Sequence, residues 1–284
     1  MPTDFSPESE QAITYAQALA RTYEARVHVV NVVDLFPYSL ADTSEASEKR
    51  VELLHKGKGR LKDFMLAHRL DPKYFEPAVL TGEVFAAVED FVRRSDIDLI
   101  ILGSRGNSGL RRLFDGSVAE EIFRSARGPV LIAGPQTRAP GTDGLFQRIL
   151  FATDLSAVSR VALPHLEFFL ESNPTSSVIL AHFVAPEESP VFDRYQKRRR
   201  LQGELRGLLP PSLQDRIADV IVESAMPGPA MTEVAGRWPA DLLMLGVRYG
   251  GAFVRIATHC CSSLACQVIQ QARCPVLTVR GREP

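Results

Sequence analysis

Short apolar runs alternate with longer amphipathic stretches along the whole chain. The apolar runs are strand-sized, whereas the amphipathic stretches carry apolar residues three and four positions apart, which is typical of helices. The predicted strands are Arg26–Val33, Phe75–Leu80, Leu99–Gly103, Val130–Ala133, Arg148–Ala152, Ser177–Val184, Ala218–Glu223, Leu242–Gly246 and Val276–Val279. The predicted helices of the first half are Pro7–Tyr23, Glu45–His68, Val84–Ser95 and Ser117–Ser125. This alternation favours an α/β fold in which helices cover both faces of a parallel sheet.

The second half of the chain repeats the first. Three segments recur in the same order: 2–6 at 152–156, 98–103 at 241–246, and 126–132 at 272–278. A repeat of this length indicates a duplicated domain, because the repeats of solenoids are much shorter. The sequence therefore predicts one domain over 1–134 and a second over 146–284, joined by a Pro/Gly-rich linker at 134–144.

The first strand of the first domain is shorter than its counterpart. Residues 148–152 precede Thr153 in the second half, whereas only Met1 and Pro2 precede Thr3. A central strand is buried on both faces, and each large apolar side chain lost from it costs about 1.5–3 kcal/mol. We therefore expect that translation starts upstream of Met1; the alternative is a strand that is short in the native protein.

Composition limits the classes of partner. The chain is 45% hydrophobic and 24% charged, with a formal net charge of −1, so no excess of positive charge favours nucleic acid or an anionic membrane. The first residues lack the basic start and apolar core of a signal peptide. We expect a cytoplasmic protein without nucleic-acid or membrane partners.

The four cysteines lie late in the chain and do not suggest a metal site. Cys260, Cys261, Cys266 and Cys274 contain no C-x2-C pair, and the histidines are scattered. The adjacent pair at 260 and 261 could be redox-active, but small semi-buried residues in a reducing compartment are the simpler interpretation.

A glycine-rich loop follows the predicted strand Leu99–Gly103. It carries Gly103, Gly106 and Gly116, and it ends at Ser117, which is suited to cap a helix. Glycines let backbone amides approach an anion closely, and a helix N-terminus adds unpaired N–H groups. The loop is thus predicted to bind phosphate, although its spacing is neither the Walker pattern nor the Rossmann fingerprint.

This Gly-x2-Gly-x9-Gly-Ser loop resembles the ATP-binding signature of the universal stress protein family, and the resemblance covers both halves of the chain. It implies two tandem doubly wound open parallel sheets of the flavodoxin-like, adenine nucleotide alpha hydrolase-like type, packed as a pseudo-dimer. It also implies ATP, with Mg²⁺ held through the phosphates, across the carboxyl ends of the strands. Strands Val130–Ala133 and Val276–Val279 are the candidates for joining the halves, and a homodimer is a further possibility.

The resemblance also implies which residues bind ATP. Asp4 would contact the adenosine and Val32 the adenine; Gly103 and Gly106 would admit the ribose and phosphates. Gly116, Ser117 and Val118 would supply amides and a hydroxyl to the phosphates. The predicted site also includes the neighbouring residues Pro2, Thr3, Leu102 and Arg105.

Two of these assignments have alternatives. Asp4 lies in Asp-Phe-Ser-Pro, where an aspartate also serves as a turn former or helix cap. Arg111 and Arg112 in the loop would either screen phosphate charge or remain solvated. Ser117 can cap the helix and bind phosphate at the same time.

The second half departs from the signature in three places. Its loop reads Gly246-Val-Arg-Tyr-Gly250-Gly251, the terminal Gly-Ser becomes Ser262-Ser263, and Phe183 stands where the first half has Val32. A bulky ring would obstruct an adenine there. The second site is therefore predicted to be degenerate, or to bind a different ligand.

The sequence favours a regulatory ATP-binding protein in which the nucleotide acts as an allosteric or stabilising ligand. It shows no paired carboxylates and no Ser/His/Asp set that would make catalysis the leading hypothesis. The alternatives are a slow ATP hydrolase or adenylating relative, and an interaction module that binds no nucleotide.

Overall fold

The structure is a computed structural model that describes residues 1–35, 43–104, 122–123, 126, 128–141, 144–184, 191–248 and 264–281 of the 284-residue chain. The strands described are β1 Val27–Val33, β2 Phe75–Thr81, β3 Ile100–Gly103, β4 Val130–Ala133, β5 Arg148–Ala152, β6 Ser177–Val184, β7 Ile217–Ser224, β8 Leu242–Arg248 and β9 Val276–Gly281. The helices are α1 Pro7–Thr22, α2 Ser44–Ala67, α3 Val84–Arg94, α4 Ala157–Arg160, α5 Leu163–Ser172, α6 Val191–Arg206, α7 Pro227–Arg237 and α8 Leu264–Gln271, with a 3-10 helix at Pro211–Arg216.

Local capping chemistry sets several helix starts. Ser6 caps α1 by accepting a hydrogen bond from the Ser9 amide, and Pro7 occupies the first turn, where no amide is needed. Glu83 caps α3, its carboxylate accepting from two amides of the first turn. These signals are local, which is why the predicted bounds lie close to the observed ones. Of the predicted helix at 117–125, only residues 122–123 fall among the described residues, and they are helical.

The second half forms an open parallel sheet. Its strands lie in the order β7-β6-β5-β8-β9, and all four neighbouring pairs are parallel. The first strand of this half, β5, is therefore central, and the order of the strands reverses on either side of it. That arrangement is doubly wound, and it leaves a crevice at the carboxyl ends beside β5.

The first half follows the same plan with a shorter first strand. Residues 1–3 run beside β1: Thr3 N–H donates to the Val30 carbonyl over 2.8 Å, and Val30 N–H donates to the Met1 carbonyl over 2.9 Å. Pro2 pairs with Val30 as an isolated parallel bridge, as Ala152 pairs with Ala181 in the second half. In the described residues β1 and β2 form a two-stranded parallel sheet, while β3 and β4 belong to the larger sheet.

The two halves meet edge to edge. β4 and β9, the two strands that the sequence suggests for this contact, pair antiparallel with Leu131 opposite Leu277. Beyond the ends of the ladder, Gly134 packs on the Ile269 carbonyl, and the Arg280 guanidinium donates a hydrogen bond to the Phe123 carbonyl. Seven of the described strands thus form one sheet, in the order β3-β4-β9-β8-β5-β6-β7.

Apolar cores cover both faces of this sheet. One core includes Ala16 of α1, Leu61 of α2 and Phe151 of β5, so it extends through both halves. The core on the other face includes Leu102, Leu245 and Val268. The predicted α/β class, with mainly parallel open sheets, is therefore the observed one. None of the helices in the described part of the chain combines the length and the hydropathy of a transmembrane segment.

Candidate functional site

The predicted site begins at a tight turn after residues 1–3. Thr3 is buried, and its Oγ1 lies 2.9 Å from Ser9 Oγ while accepting a hydrogen bond from Phe5 N–H over 3.0 Å. Ser9 in turn donates to the Ser6 carbonyl over 2.7 Å. The Thr3 hydroxyl therefore fixes the chain between the strand end and α1, and its role in this structure is to shape the turn.

Asp4 lies at the exposed tip of this turn. Its Oδ1 accepts a hydrogen bond from Ser6 N–H over 3.0 Å, and the residue between them, Phe5, has a φ of 64°. A left-handed conformation is uncommon for an aromatic residue, and such positions often occur at functional sites. The turn-forming role of Asp4 is thus present in the structure, and it holds the carboxylate at the end of the sheet.

The second half reproduces this turn bond for bond. Thr153 Oγ1 lies 2.7 Å from Ser159 Oγ and accepts from Leu155 N–H over 2.9 Å, and Asp154 Oδ1 accepts from Ser156 N–H over 3.0 Å. Leu155 has a φ of 65°, one degree from that of Phe5. The same sequence pattern therefore encodes the same turn twice, whatever each half binds.

The carboxylate of Asp154 is held in its ionised form. Partial burial raises its pKa, but the hydrogen bonds from the Ser156 hydroxyl, at 2.6 Å, and from the Ser156 amide outweigh this effect, and the net pKa is lowered. Each half thus presents an aspartate at the tip of a turn, and that of the second half is negatively charged at neutral pH.

The neighbouring strand supports the turn through its side chains. Asn31 Nδ2 donates to the Thr3 carbonyl over 3.0 Å, and at the equivalent position His182 Nδ1 lies 2.8 Å from the Thr153 carbonyl. Because a carbonyl only accepts, Nδ1 of His182 carries the proton in this contact. Sequence reasoning did not assign a role to either residue; the signal available was their matching position in the repeat.

Val32 and Leu102 lie on the same face of the first half. Leu102 is buried in the core of that face, and Val32 is partly buried against it. Phe183, the counterpart of Val32, is 9% exposed and belongs to the same core. The phenylalanine ring occupies more of this position in the second half than the valine does at the equivalent position of the first half.

Ser104, directly after Gly103, is a residue that the sequence analysis missed. It is 3% exposed, its N–H donates to the Ala133 carbonyl over 3.0 Å, and its Oγ has no hydrogen-bond partner in the described part of the chain. A buried hydroxyl without a partner is costly, so it marks a place where a ligand or water can bond. The equivalent residue of the second half is Val247, which has no such group.

The first glycine of the second loop has a packing role. A Cβ on Gly246 would lie far inside van der Waals contact of the Ser159 backbone, with the Ser159 carbonyl oxygen only 2.6 Å away. Helix α4, which contains Ser159, packs on β8, just as α1 packs on β3 in the first half. A glycine at the end of this strand is therefore explained by helix packing before any ligand is considered.

The structure thus joins one part of the predicted site. Asn31 of β1 donates a hydrogen bond to the Thr3 carbonyl, and Asp4 is the next residue of the same turn. Helix α1, which follows the turn, packs on β3. Arg105, Gly106, Gly116, Ser117 and Val118 lie outside the described residues, as do Arg111, Arg112 and the second-half loop from 249 to 263. Among the described residues, no group of three or more His, Cys, Asp or Glu side chains is arranged to hold a metal ion.

Comparison with known proteins gives the same duplication. The sequence model of the universal stress protein family matches the chain twice, over residues 1–134 and again over 145–280. The chain belongs to the universal stress protein family. It is a tandem member, as its internal repeat predicts.

Individual proteins that resemble this universal stress protein support the same family and fold. Universal stress protein MJ0531 of Methanocaldococcus jannaschii is 32% identical over 134 residues, which is 46% of this chain and 78% of the relative. A universal stress protein of Mycolicibacterium smegmatis is 24% identical over 310 aligned positions, covering 98% of this chain and 95% of the relative. The crystal structure of a universal stress protein from Archaeoglobus fulgidus superposes with a TM-score of 0.66 at 21% identity, over 98% of this chain and 96% of that one. The predicted family and fold are thereby confirmed.

Proposed function

We propose that this universal stress protein is a cytoplasmic, ATP-binding regulatory protein whose nucleotide is held by the first domain. The observation that carries the proposal is that the first half holds both the exposed Asp4 turn and the buried hydroxyl of Ser104, which has no hydrogen-bond partner among the described residues. Both lie at the carboxyl ends of strands, where ligands bind in doubly wound sheets.

The available groups fit a nucleotide. Asp4, with Pro2 and Thr3, would bind the adenosine; Val32 and Leu102 would contact the adenine; and Gly103, Arg105 and Gly106 would approach the ribose and phosphates. Gly116, Ser117 and Val118 would bind the phosphates at a helix start. Mg²⁺ would then be held mainly by phosphate oxygens and water.

We propose one nucleotide per chain. The second half retains the turn at Asp154, but Phe183 is packed into its core, and Val247 replaces the hydroxyl of Ser104. The role of the second half would be to support the first domain. The β4–β9 ladder supports an internal pseudo-dimer of the domains 1–134 and 146–284, in which each half closes an edge of the other.

We propose a binding role without appreciable turnover. The sequence has no residue pattern that would position a general base for an attacking water, and Asp4 Oδ1 accepts the Ser6 amide hydrogen. Bound ATP would act on the conformational equilibrium, because a ligand selective for the folded state stabilises it by RT ln(1 + [L]/Kd). Steady phosphate release that is lost in Ser117→Ala, with ATP still bound, would instead favour a slow hydrolase.

The repeat offers a matched pair of variants. Asp4→Asn and Asp154→Asn each keep an oxygen for the turn but remove the charge, so their effects on the two turns should be alike. In titration calorimetry with ATP and Mg²⁺, we expect a stoichiometry of one, about tenfold weaker binding in Asp4→Asn, and parental binding in Asp154→Asn. Nucleotide released by denaturing the purified protein would be identified by anion exchange.

Equal affinities of the two variants would remove Asp4 from the site. A stoichiometry of two would contradict the asymmetry between the halves. Absence of ATP binding by the parent protein would favour the interaction module instead.

A further inference from the structure

A cavity lies at the end of the second half's sheet where its parallel strands begin, opposite the end that carries the Asp154 turn. Its volume is about 330 Å³, and Arg148, Asp241 and Cys274 line it together with Tyr15 of α1 and Arg138 of the linker. Arg148 begins β5, while Asp241 and Cys274 come just before β8 and β9. The cavity is thus formed where the first half, the linker and the second half meet.

The walls of this cavity are fixed by hydrogen bonds. Tyr15 OH donates to the Arg138 carbonyl over 2.6 Å, and Arg138 N–H donates to the Arg273 carbonyl over 3.0 Å. Asp241 accepts the amide hydrogens of Gln147 and Arg148 over 3.0 and 2.9 Å. These contacts join residues that are far apart in the sequence, so the cavity is a built feature of the tertiary structure.

The charges around the cavity are unbalanced. Three arginines line it, Arg138, Arg148 and Arg273, against the single carboxylate of Asp241. Both Asp241 oxygens are already bonded to amides, and neither Arg138 nor Arg273 forms an ion pair with any residue that the structure describes. The cavity therefore carries an excess of positive charge.

The buried groups on the floor do not offset this charge. Tyr15 and Cys274 are each 4% exposed. Burial raises the pKa of the Tyr15 phenol above its usual range and that of the Cys274 thiol to about 12, so both are neutral at neutral pH. Leu145, Pro239 and Ala240 add apolar surface to the lining.

We propose that this cavity binds a small organic anion, a carboxylate on a compact apolar body, through Arg138 and Arg273. The volume lies at the lower end of the range for small-molecule sites, and pockets of this kind combine an apolar lining with a few polar groups that orient the ligand. Guanidinium groups are well matched to a carboxylate, which they bind through two parallel hydrogen bonds. Because the lining comes from both halves and the linker, a bound anion would stabilise their junction.

Three probes separate the chemistry of this site. Benzoate has the charge and the apolar body, benzamide has the body without the charge, and inorganic phosphate has the charge without the body. In a titration followed by protein NMR, we expect benzoate to bind with a dissociation constant of about 1 mM. The signals that shift should be those of residues that line the cavity. Benzamide and phosphate should each bind at least about tenfold more weakly.

Variants then locate the binding. Arg138→Gln and Arg273→Gln should each weaken benzoate binding by about tenfold, whereas Arg21→Gln, an exposed arginine of α1 outside the cavity, removes the same charge and should bind as the parent does. Circular dichroism would verify that each variant is folded. The proposal is overturned if benzamide or phosphate binds as tightly as benzoate. It is also overturned if no binding is detected at a benzoate concentration of about 20 mM, which is 20 times the expected dissociation constant. The third contradicting result is a folded double variant Arg138→Gln/Arg273→Gln that binds benzoate with parental affinity.

This test is independent of the nucleotide site. ATP titrated into the same double variant reports on the first domain, so a failure of either proposal leaves the other measurable.

Discussion

Leu131 of β4 lies opposite Leu277 of β9, at the centre of the antiparallel ladder that joins the two halves of the chain. Each side chain is 1% exposed, and both belong to the core that also contains Phe146 and Leu166. The two halves therefore share apolar surface as well as backbone hydrogen bonds. We therefore expect that substitutions at this junction lower the stability of both halves.

Truncation of either leucine should be strongly destabilising. Leu277→Ala removes buried methyl groups and leaves a cavity, at an expected cost of about 2–5 kcal/mol in the free energy of unfolding measured with urea. Leu66→Ala is the control, because Leu66 is 66% exposed in α2. If the unfolding free energies of Leu277→Ala and this control differ by less than about 1 kcal/mol, apolar packing at the ladder does not stabilise the junction. A double-mutant cycle with Leu131→Ala would measure the coupling across it.

Gly134 is a second position of the junction at which a substitution should lower stability. A Cβ there would overlap the Ile269 carbonyl of α8, so Gly134→Ala must shift backbone rather than a flexible side chain. We expect the melting temperature to fall by several degrees. Gly128→Ala, where nothing lies within 4 Å of the new Cβ, should be neutral or slightly stabilising. Equal melting temperatures for the two variants would show that α8 and β4 do not make this close contact.

The hydrogen bond of His182 should be replaceable by that of its counterpart. Because Asn31 makes the same bond to Thr3 that His182 makes to Thr153, His182→Asn should retain most of the stability. His182→Leu removes the donor and leaves the buried carbonyl without it, at a cost of about 1–3 kcal/mol. Urea unfolding of both variants is the measurement. An asparagine variant that is no more stable than the leucine variant would mean that packing of the ring, rather than its bond, is what matters.

Stability should decrease in alkaline solution. Burial, followed by the charge of Asp241, raises the pKa of the Cys274 thiol from its usual 9.0 to about 12. Between these two values the unfolded chain loses the proton while the folded protein keeps it, so the folded state is favoured below pH 9 and this contribution is lost as pH rises towards 12. Tyr15 and Tyr23, whose pKa values are raised by burial, act in the same direction at higher pH.

The contribution of Cys274 is separable by substitution. Cys274→Ala changes stability by a constant amount at neutral pH, but it should make the decline above pH 9 shallower by at most about 1.4 kcal/mol per pH unit. Urea unfolding at half-unit steps from pH 7 to pH 11 would measure both slopes, and parallel curves would contradict a protonated, buried thiol.

The sequence alone determined the elements and their duplication. Apolar periodicity predicted β4 and β5 at their observed bounds, and the Ser6 and Pro7 signals located the start of α1, because these depend on residues a few positions apart. The repeated Thr-Asp-x-Ser segment forms the same turn in both halves. The alternation of apolar runs with amphipathic stretches indicated the α/β class. The turn-forming role, which the sequence offered for Asp4 as the alternative to nucleotide binding, depends on the same local chemistry and is present in the structure.

Only the tertiary structure decided what depends on contacts between distant segments. The burial of Ser104, whose hydroxyl has no partner among the described residues, is one such feature. The packing of Gly246 on Ser159 and the cavity closed by Tyr15 and Arg138 are others, because each joins parts of the chain that sequence periodicity treats separately. The antiparallel register of β4 and β9 is of the same kind. The family resemblance suggested that these two strands join the halves, but apolar patterning does not specify which residues lie opposite each other. Periodicity reports which side of an element is buried, whereas the environment of one hydroxyl or one glycine is set by whichever segment folds against it.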